Sequence, residues 1–143
     1  MSNQATAIWN GTLKEGAGEL TLPKANVQTA YDFQSRFETG NTTNPEELLA
    51  GAISSCFSMY LSALFTNEGL ENTQVKTVAK VTLDAGQKPP KITHIDLTVE
   101  AQAPSLSTDR FNELVQQTEA ECPVANLFTG ATVTPSSAIL ATN

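Results

Sequence analysis

Two cysteines are the residues of this 143-residue chain whose type and positions could carry chemistry. Cys56 sits in NPEELLAGAISSCFSMYLSALF, residues 44–65, and Cys122 in ECPVANLF. A thiolate is a strong nucleophile, and two thiols can close to a disulfide. Packing is the competing reading of Cys56, since free cysteine is among the most buried residue types. Cys56 lies about eleven residues into its helix, roughly 16 Å from the start at 1.5 Å per residue. The field of the helix N-terminus has faded there, so activation needs another group, such as an arginine. Cys122 precedes Pro123. It is either the cap of a short helix, where free N–H groups favour a thiolate, or a turn residue between two helices. Arg36 and Glu46 have plain readings as well: a solvated strand residue, and an acid at the positive end of a helix. The single histidine, His94, falls mid-strand and reads as structural or surface. Positions 56, 94 and 122 give no metal-ligand spacing.

The elements that must position these groups can be read along the chain. TAIWNGTL and GELTLP form short strands joined by the turn KEGAG. Residues 26–37 contain YDFQSRF, whose alternation predicts a strand with Tyr31, Phe33 and Ser35 on one face and Asp32, Gln34 and Arg36 on the other. After the loop ETGNTT, Asn44 is an N-cap, Pro45 fits N1 and Glu47 at N3 gives a capping-box pattern. Leu49, Ala52, Cys56, Met59 and Ala63 share one helix face, and Leu48, Ile53, Phe57, Tyr60 and Leu64 widen the apolar surface. The helix is apolar nearly all round, predicts a buried position and stops near Gly69. Two long strands follow, QVKTVAKVTLDA and KITHIDLTVEAQA, joined by GQKPP. Residues 108–121 predict a helix with Phe111, Leu114, Val115 and Thr118 on one face, and PVANLF a short one opened by Pro123. Gly130 punctuates. ATVTPSSAIL closes the chain as a strand, with Pro135 marking an edge or a bulge. The order is βββ-α-ββ-α-(α)-β, an α+β domain with antiparallel hairpins.

Composition narrows the field. Eight Lys and Arg face fifteen Asp and Glu, a formal net charge of −7 at pH 7. A chain without a basic stripe is a poor partner for nucleic acid or an anionic membrane surface. The apolar run 48–65 is interrupted by Ser54, Ser55, Ser58 and Ser62, a poor membrane span. No basic segment followed by an apolar run opens the sequence, so the expected location is cytoplasmic. In that reducing compartment two cysteines are expected to be free or catalytic.

FQSRFE, NPEELLAGAISSCFSM and ECPVANLF, in that order, resemble the osmotically inducible protein C (OsmC) family, which is related to the organic hydroperoxide resistance proteins. The likeness spans essentially the whole chain, as a single domain over residues 1–143. Its most specific part is the capped NPEEL helix with a cysteine ten residues after its first glutamate, followed later by CPV. The resemblance implies antiparallel sheets wrapped around central buried helices in an intertwined homodimer. It implies a peroxidase that reduces organic hydroperoxides, and hydrogen peroxide as well, to alcohols and water, with no metal, haem or other cofactor. Cys56 resembles the peroxidatic cysteine, Cys122 the resolving cysteine, Arg36 the active-site arginine and Glu46 the acid that holds it. No arginine precedes Arg36, which fits the osmotically inducible branch of the superfamily, expected to be the broader and weaker peroxidase.

The residue types suit that chemistry. A thiolate that attacks a peroxide becomes a sulfenic acid, which condenses with a second thiol. A guanidinium favours the thiolate and donates to peroxide oxygens, and a glutamate can fix it through a bidentate pair. A dithiol reductant, for which the resemblance suggests a lipoylated protein, would reopen the disulfide. Glu46 and Cys56 are ten residues apart on one helix, about 15 Å along its axis. An antiparallel partner helix would bring Glu46 of one chain beside Cys56 of another, so a site shared across a two-fold dimer is expected. A thiol redox sensor and a carrier for a small apolar ligand are the rival readings.

Overall fold

The protein is described as a computed structural model that covers residues 1–128 and 131–141, so Gly130 lies outside the described residues. It divides into two compact units, Met1–Leu48 and Leu49–Asn143.

In the first unit, strands β1 (Thr6–Asn10), β2 (Ala17–Leu22) and β3 (Val27–Tyr31) form an antiparallel meander in the order β1-β2-β3. The expected strand over YDFQSRF stops at Tyr31. Residues Phe33–Phe37 instead form a short helix, α1. The reason is local: the Asp32 carboxylate accepts from the Ser35 N–H at 2.7 Å, an N-cap that turns the chain out of the sheet. Phe33 and Phe37, four residues apart, then stack with ring centroids at 4.9 Å. The alternation that suggested two faces of a strand is one turn of helix with a capped start.

The long helix α2 runs from Pro45 to Asn67. The Asn44 side-chain oxygen accepts from the Glu47 N–H at 2.8 Å, as the N-cap expectation required. The return bond of a capping box is diverted, because the Glu47 carboxylate accepts from the Thr43 hydroxyl. At the other end Gly69 has φ +75°, a left-handed position that glycine takes without strain. The Leu70 N–H reaches Phe65 O and the Gly69 N–H reaches Thr66 O, the paired bonds of a Schellman stop.

In the second unit, β4 (Gln74–Asp84) and β5 (Lys91–Gln102) form the predicted antiparallel hairpin. The last strand, β6 (Thr132–Ala141), pairs with β5 in parallel, so this sheet is mixed and not a set of antiparallel hairpins alone. A parallel neighbour needs a crossover, and α3 (Thr108–Glu121) lies between the two strands in sequence. Pro135 marks both an edge and a bulge. It lies on the outer strand of the order β4-β5-β6, and the register slips between Leu97 and Thr98 across from it.

The core of this unit is one cluster of α2, β5 and α3 side chains. Ile95, Leu97, Val99 and Ala101 point inward from alternate positions of β5. Phe111, Leu114, Val115 and Thr118 do so from α3, the face that its spacing predicted. On α2 the buried residues are Ile53, Phe57, Leu61, Leu64 and Phe65. The expected burial of the helix nearly all round is corrected: within a single chain the face through Ala52, Met59 and Ala63 is exposed, and Met59 keeps 74% of its surface. A single chain covers one side of a helix that is apolar on both. By length and apolar composition α2 would even pass for a membrane span despite its serines. Its Ile53–Phe65 side is nonetheless built into the core of this chain.

α3 runs back along α2. Phe65 and Phe111 meet with ring centroids at 6.4 Å, and the Arg110 guanidinium makes a two-pronged pair with Glu68 at 2.7 and 3.3 Å. Replacing Phe57, which is fully buried, by alanine should lower the unfolding free energy by about 3–5 kcal/mol in urea titrations. Met59→Ala in monomeric protein should change it by less than about 0.5 kcal/mol.

Candidate active site

Each unit holds one constellation of the residues singled out from the sequence. In the first, Arg36 and Glu46 form an ion pair. Glu46 is buried at the second position of α2, and the Arg36 side chain is about 38% exposed. Both Nε at 3.2 Å and Nη2 at 2.9 Å donate to the same oxygen, Oε1. The pair is therefore a fork on one oxygen and not the expected two-oxygen bidentate bridge. Among the described residues Nη1 makes no hydrogen bond, so one edge of the guanidinium stays open. The Phe37 ring lies 5.3 Å from the guanidinium carbon and backs the cation.

Local sequence holds Arg36 in place. The hydrogen bond at the α1 N-cap holds the Asp32 carboxyl below its usual range. Ser35 Oγ accepts from Thr42 N at 2.9 Å and pairs with the Thr42 hydroxyl at 2.7 Å, while Asn44 Nδ2 donates to Ser35 O at 2.7 Å. The loop can press this closely on α1 because residue 40 is glycine. A β-carbon there would stand 2.3 Å from Ser35 Oγ and 2.5 Å from Ser35 N. These supports were missed when the segment was read as a strand. The signal is Asp32 itself, a favoured N-cap residue directly before Phe33.

In the second unit, Cys122 Sγ lies 3.1 Å from Cys56 Sγ, with Cys122 as the donor. A disulfide bond is about 2.05 Å long, and both cysteines are free thiols here. Their surroundings differ. Cys122 has no exposed surface, whereas Cys56 is partly exposed at the rim of the core. Cys122 caps the C-terminus of α3, its N–H bonded to Thr118 O at 2.8 Å, and precedes a 3-10 turn at Ala125–Leu127. Burial pushes the Cys122 thiol up. The N–H groups of Ala125 and Val124 oppose this in smaller measure, and Cys56 adds to it. Cys122 is therefore the junction residue and not the cap of the short helix, whose N-cap is Val124; the nearby N–H groups favour its thiolate, but burial prevails.

Three further groups surround the thiols. Tyr60, one turn beyond Cys56, donates to Glu121 Oε2 at 2.7 Å, and Gln117 Nε2 donates to the same oxygen at 3.1 Å. Their spacing, Cys56 plus four and Cys122 minus one, is visible in the sequence only once the two cysteines are known to touch. His94 is exposed on β5. No group of three or more potential metal ligands occurs among the described residues.

A model of the OsmC-like protein family matches residues 38–136. The chain belongs to the OsmC-like protein family. It is 36% identical over 123 residues to Peroxiredoxin OsmC of Escherichia coli (strain K12), an alignment that spans 85% of this chain and 86% of that protein. The OsmC-like fold is found again in an OsmC-like protein from Mycoplasma pneumoniae, with TM-score 0.75, 13% identity and 99% of each chain covered. An organic hydroperoxide resistance protein from Elizabethkingia anophelis gives TM-score 0.71 at 17% identity, over 100% of this chain and 99% of that one. The OsmC-like match takes in Glu46, Cys56 and Cys122, while Arg36 lies two residues before it.

The unequal burial of the sulfurs sets two expectations. At pH 7 limiting iodoacetamide should label Cys56 first, read by peptide mass, and equal labelling of Cys122 would contradict the asymmetry. The folded state also raises the Cys122 titration, so its contribution is fully present below the unfolded thiol value near 8.5. That contribution should be lost as pH rises through the folded value. Urea midpoints of the reduced protein should therefore fall on the alkaline side, and less so in Cys122→Ala.

Proposed function

We propose that the chain is a thiol-dependent peroxidase that reduces organic hydroperoxides, and hydrogen peroxide as a secondary substrate. The observation that carries this reading is the pair of sulfurs at 3.1 Å with unequal access to solvent. The more accessible Cys56 is the attacking sulfur and the buried Cys122 waits as the resolving thiol. The Cys56 thiolate takes the terminal oxygen of ROOH, the O–O bond breaks and RO⁻ leaves to be protonated to the alcohol. Cys56 sulfenic acid then condenses with the Cys122 thiol, which forms the disulfide and releases water. A small dithiol or a lipoylated protein reduces that disulfide by exchange and is itself oxidised to a disulfide.

Arg36 supplies a permanent positive charge and, at Nη1, donors not engaged by Glu46. Glu46 fixes the guanidinium, so its charge is in place before the peroxide arrives. In this reading the active form is a homodimer in which Arg36 and Glu46 of one chain serve Cys56 of the other. Two features support it: the ten-residue separation of Glu46 and Cys56 along α2, and the exposed side of α2 that carries Ala52, Met59 and Ala63. The names of the relatives, a peroxiredoxin and an organic hydroperoxide resistance protein, point to the same chemistry. A carrier for an apolar ligand is less well supported. Two grooves along α2, of about 430 and 450 Å³, lie open to solvent and mix Ser54, Ser58 and Ser62 with Met59, Ala63 and Val75, whereas a carrier encloses most of its ligand.

One equivalent of tert-butyl hydroperoxide should remove two hydrogens from the intact mass of the reduced protein. Cys122→Ser should stop at sulfenic acid or go on to sulfinic acid, and Cys56→Ser should not react. Wild-type thiols that survive excess peroxide would sink the proposal. Arg36→Met should slow the first step about a hundredfold. Mixing Arg36→Met chains with Cys56→Ser chains should restore turnover if the site is shared, and should not if each chain works alone.

A further inference from the structure

α2 and α3 lie antiparallel, and polar ties join them at two levels. At the far end Arg110 grips Glu68. At the near end the Tyr60 hydroxyl donates to Glu121 Oε2 at 2.7 Å, and Gln117 supports the same oxygen from one turn earlier on α3. The near tie is one helical turn from Cys56 and one residue from Cys122. The Tyr60 ring packs against the core, so its hydroxyl has a fixed origin. Nothing in peroxide attack calls for these groups. Their placement bears on the step that follows, in which two sulfurs on different helices must come into bonding distance.

We propose that Tyr60 and Glu121 act as a latch that holds the C-terminus of α3 against α2, positions Cys122 on Cys56 and thereby sets the rate of disulfide closure. The inference rests on the thiol-peroxidase reading for its place in turnover, although the latch itself is a property of the dithiol pair. In closure the S–O bond of Cys56 sulfenic acid breaks and the S–S bond forms. The hydroxyl leaves as water with the proton of Cys122. A second hydroperoxide competes for the same sulfenic acid, converts it to sulfinic acid and is reduced to an alcohol. A latched Cys122 wins that competition because its thiol is already in place. Tyr60 and Glu121 are positioning residues, and the reacting atoms belong to the cysteines.

The test separates closure from attack. Reduced protein is mixed with tert-butyl hydroperoxide, quenched over time and weighed intact, which resolves sulfenic acid, disulfide and sulfinic acid. Tyr60→Phe keeps the ring and loses the donor. It should oxidise at Cys56 at the wild-type rate, close the disulfide about fivefold more slowly and accumulate more sulfinic acid under excess peroxide. Glu121→Ala should behave in the same way. Glu121→Gln, whose amide oxygen still accepts from Tyr60, should restore closure. Glu68→Gln, at the far tie, should leave closure unchanged, which distinguishes a latch from general loosening of the helix pair. Equilibration of each protein in glutathione redox buffer gives a second readout that needs no peroxide. There the disulfide of Tyr60→Phe should be about fivefold less favoured than that of wild type. Wild-type closure and wild-type glutathione equilibrium in Tyr60→Phe and Glu121→Ala would overturn the latch, as would an equal effect of Glu68→Gln. If the glutathione shift appears while the wild-type thiols ignore peroxide, the latch stands and the peroxidase reading falls.

Discussion

Phe65 packed against Phe111 fixes where α3 starts along α2, at the level that Arg110 and Glu68 also mark, and the register set by this core contact is carried to the thiols. Twelve positions separate Glu68 from Cys56 on one helix, and twelve separate Arg110 from Cys122 at the end of the other. Equal spans in antiparallel helices return the two sulfurs to one level. A slip of one residue would shift Cys122 by about 1.5 Å and turn it by about 100°, enough to break a 3.1 Å contact. Phe57, Leu61, Leu114 and Val115 fill the space between these ends. The hydrophobic core is thus the device that measures out the distance between the cysteines, and their chemistry depends on its packing.

That same core makes the thiols unequal. Cys122 sits at a helix end turned inward, where burial outweighs the helpful N–H groups of Val124 and Ala125. Cys56 lies at the margin of the cluster, beside the more exposed side of α2. A buried thiol that keeps its proton is a poor first nucleophile but a good second one, because it is shielded from oxidant and adjacent to the sulfenic acid. In the proposed peroxidase, the division of labour between two chemically identical side chains starts from this difference in solvation, to which the charge of Arg36 adds.

The first unit solves a separate problem, holding a long flexible cation still. An arginine loses much rotamer freedom when fixed, and here that loss is offset by several short local bonds. Asp32 caps α1, Ser35 and Thr42 tie the loop back, Asn44 bonds to Ser35 O and caps α2, and Glu46 receives two guanidinium N–H groups. Gly40 permits the close approach on which this depends. Because Glu46 uses only one oxygen in the pair, the guanidinium is anchored at one edge and open at another.

Much of this was legible in the chain. The Asn44-Pro45 start of α2, its stop at Gly69, the β4–β5 hairpin and the inward face of α3 follow from caps, turn residues and periodicity, which act within a few residues. So does the membership of the OsmC-like family, carried by short motifs around Cys56 and Cys122. Three things were not legible. The segment 33–37 alternates like a strand yet is a helix, because one aspartate cap outweighed the alternation. The inner face of α2 could not be chosen, because apolar residues surround it and only β5 and α3 decide which side is covered. The parallel pairing of β6 with β5 depends on where α3 delivers the chain. By itself the sequence determined the local elements and the supply of two thiols, one cation and one acid. Tertiary structure alone decided which sulfur is buried, that the two sulfurs touch, and that Tyr60 and Glu121 stand beside them. Burial and proximity of residues 66 apart in sequence are set by packing, and packing is a property of the whole fold.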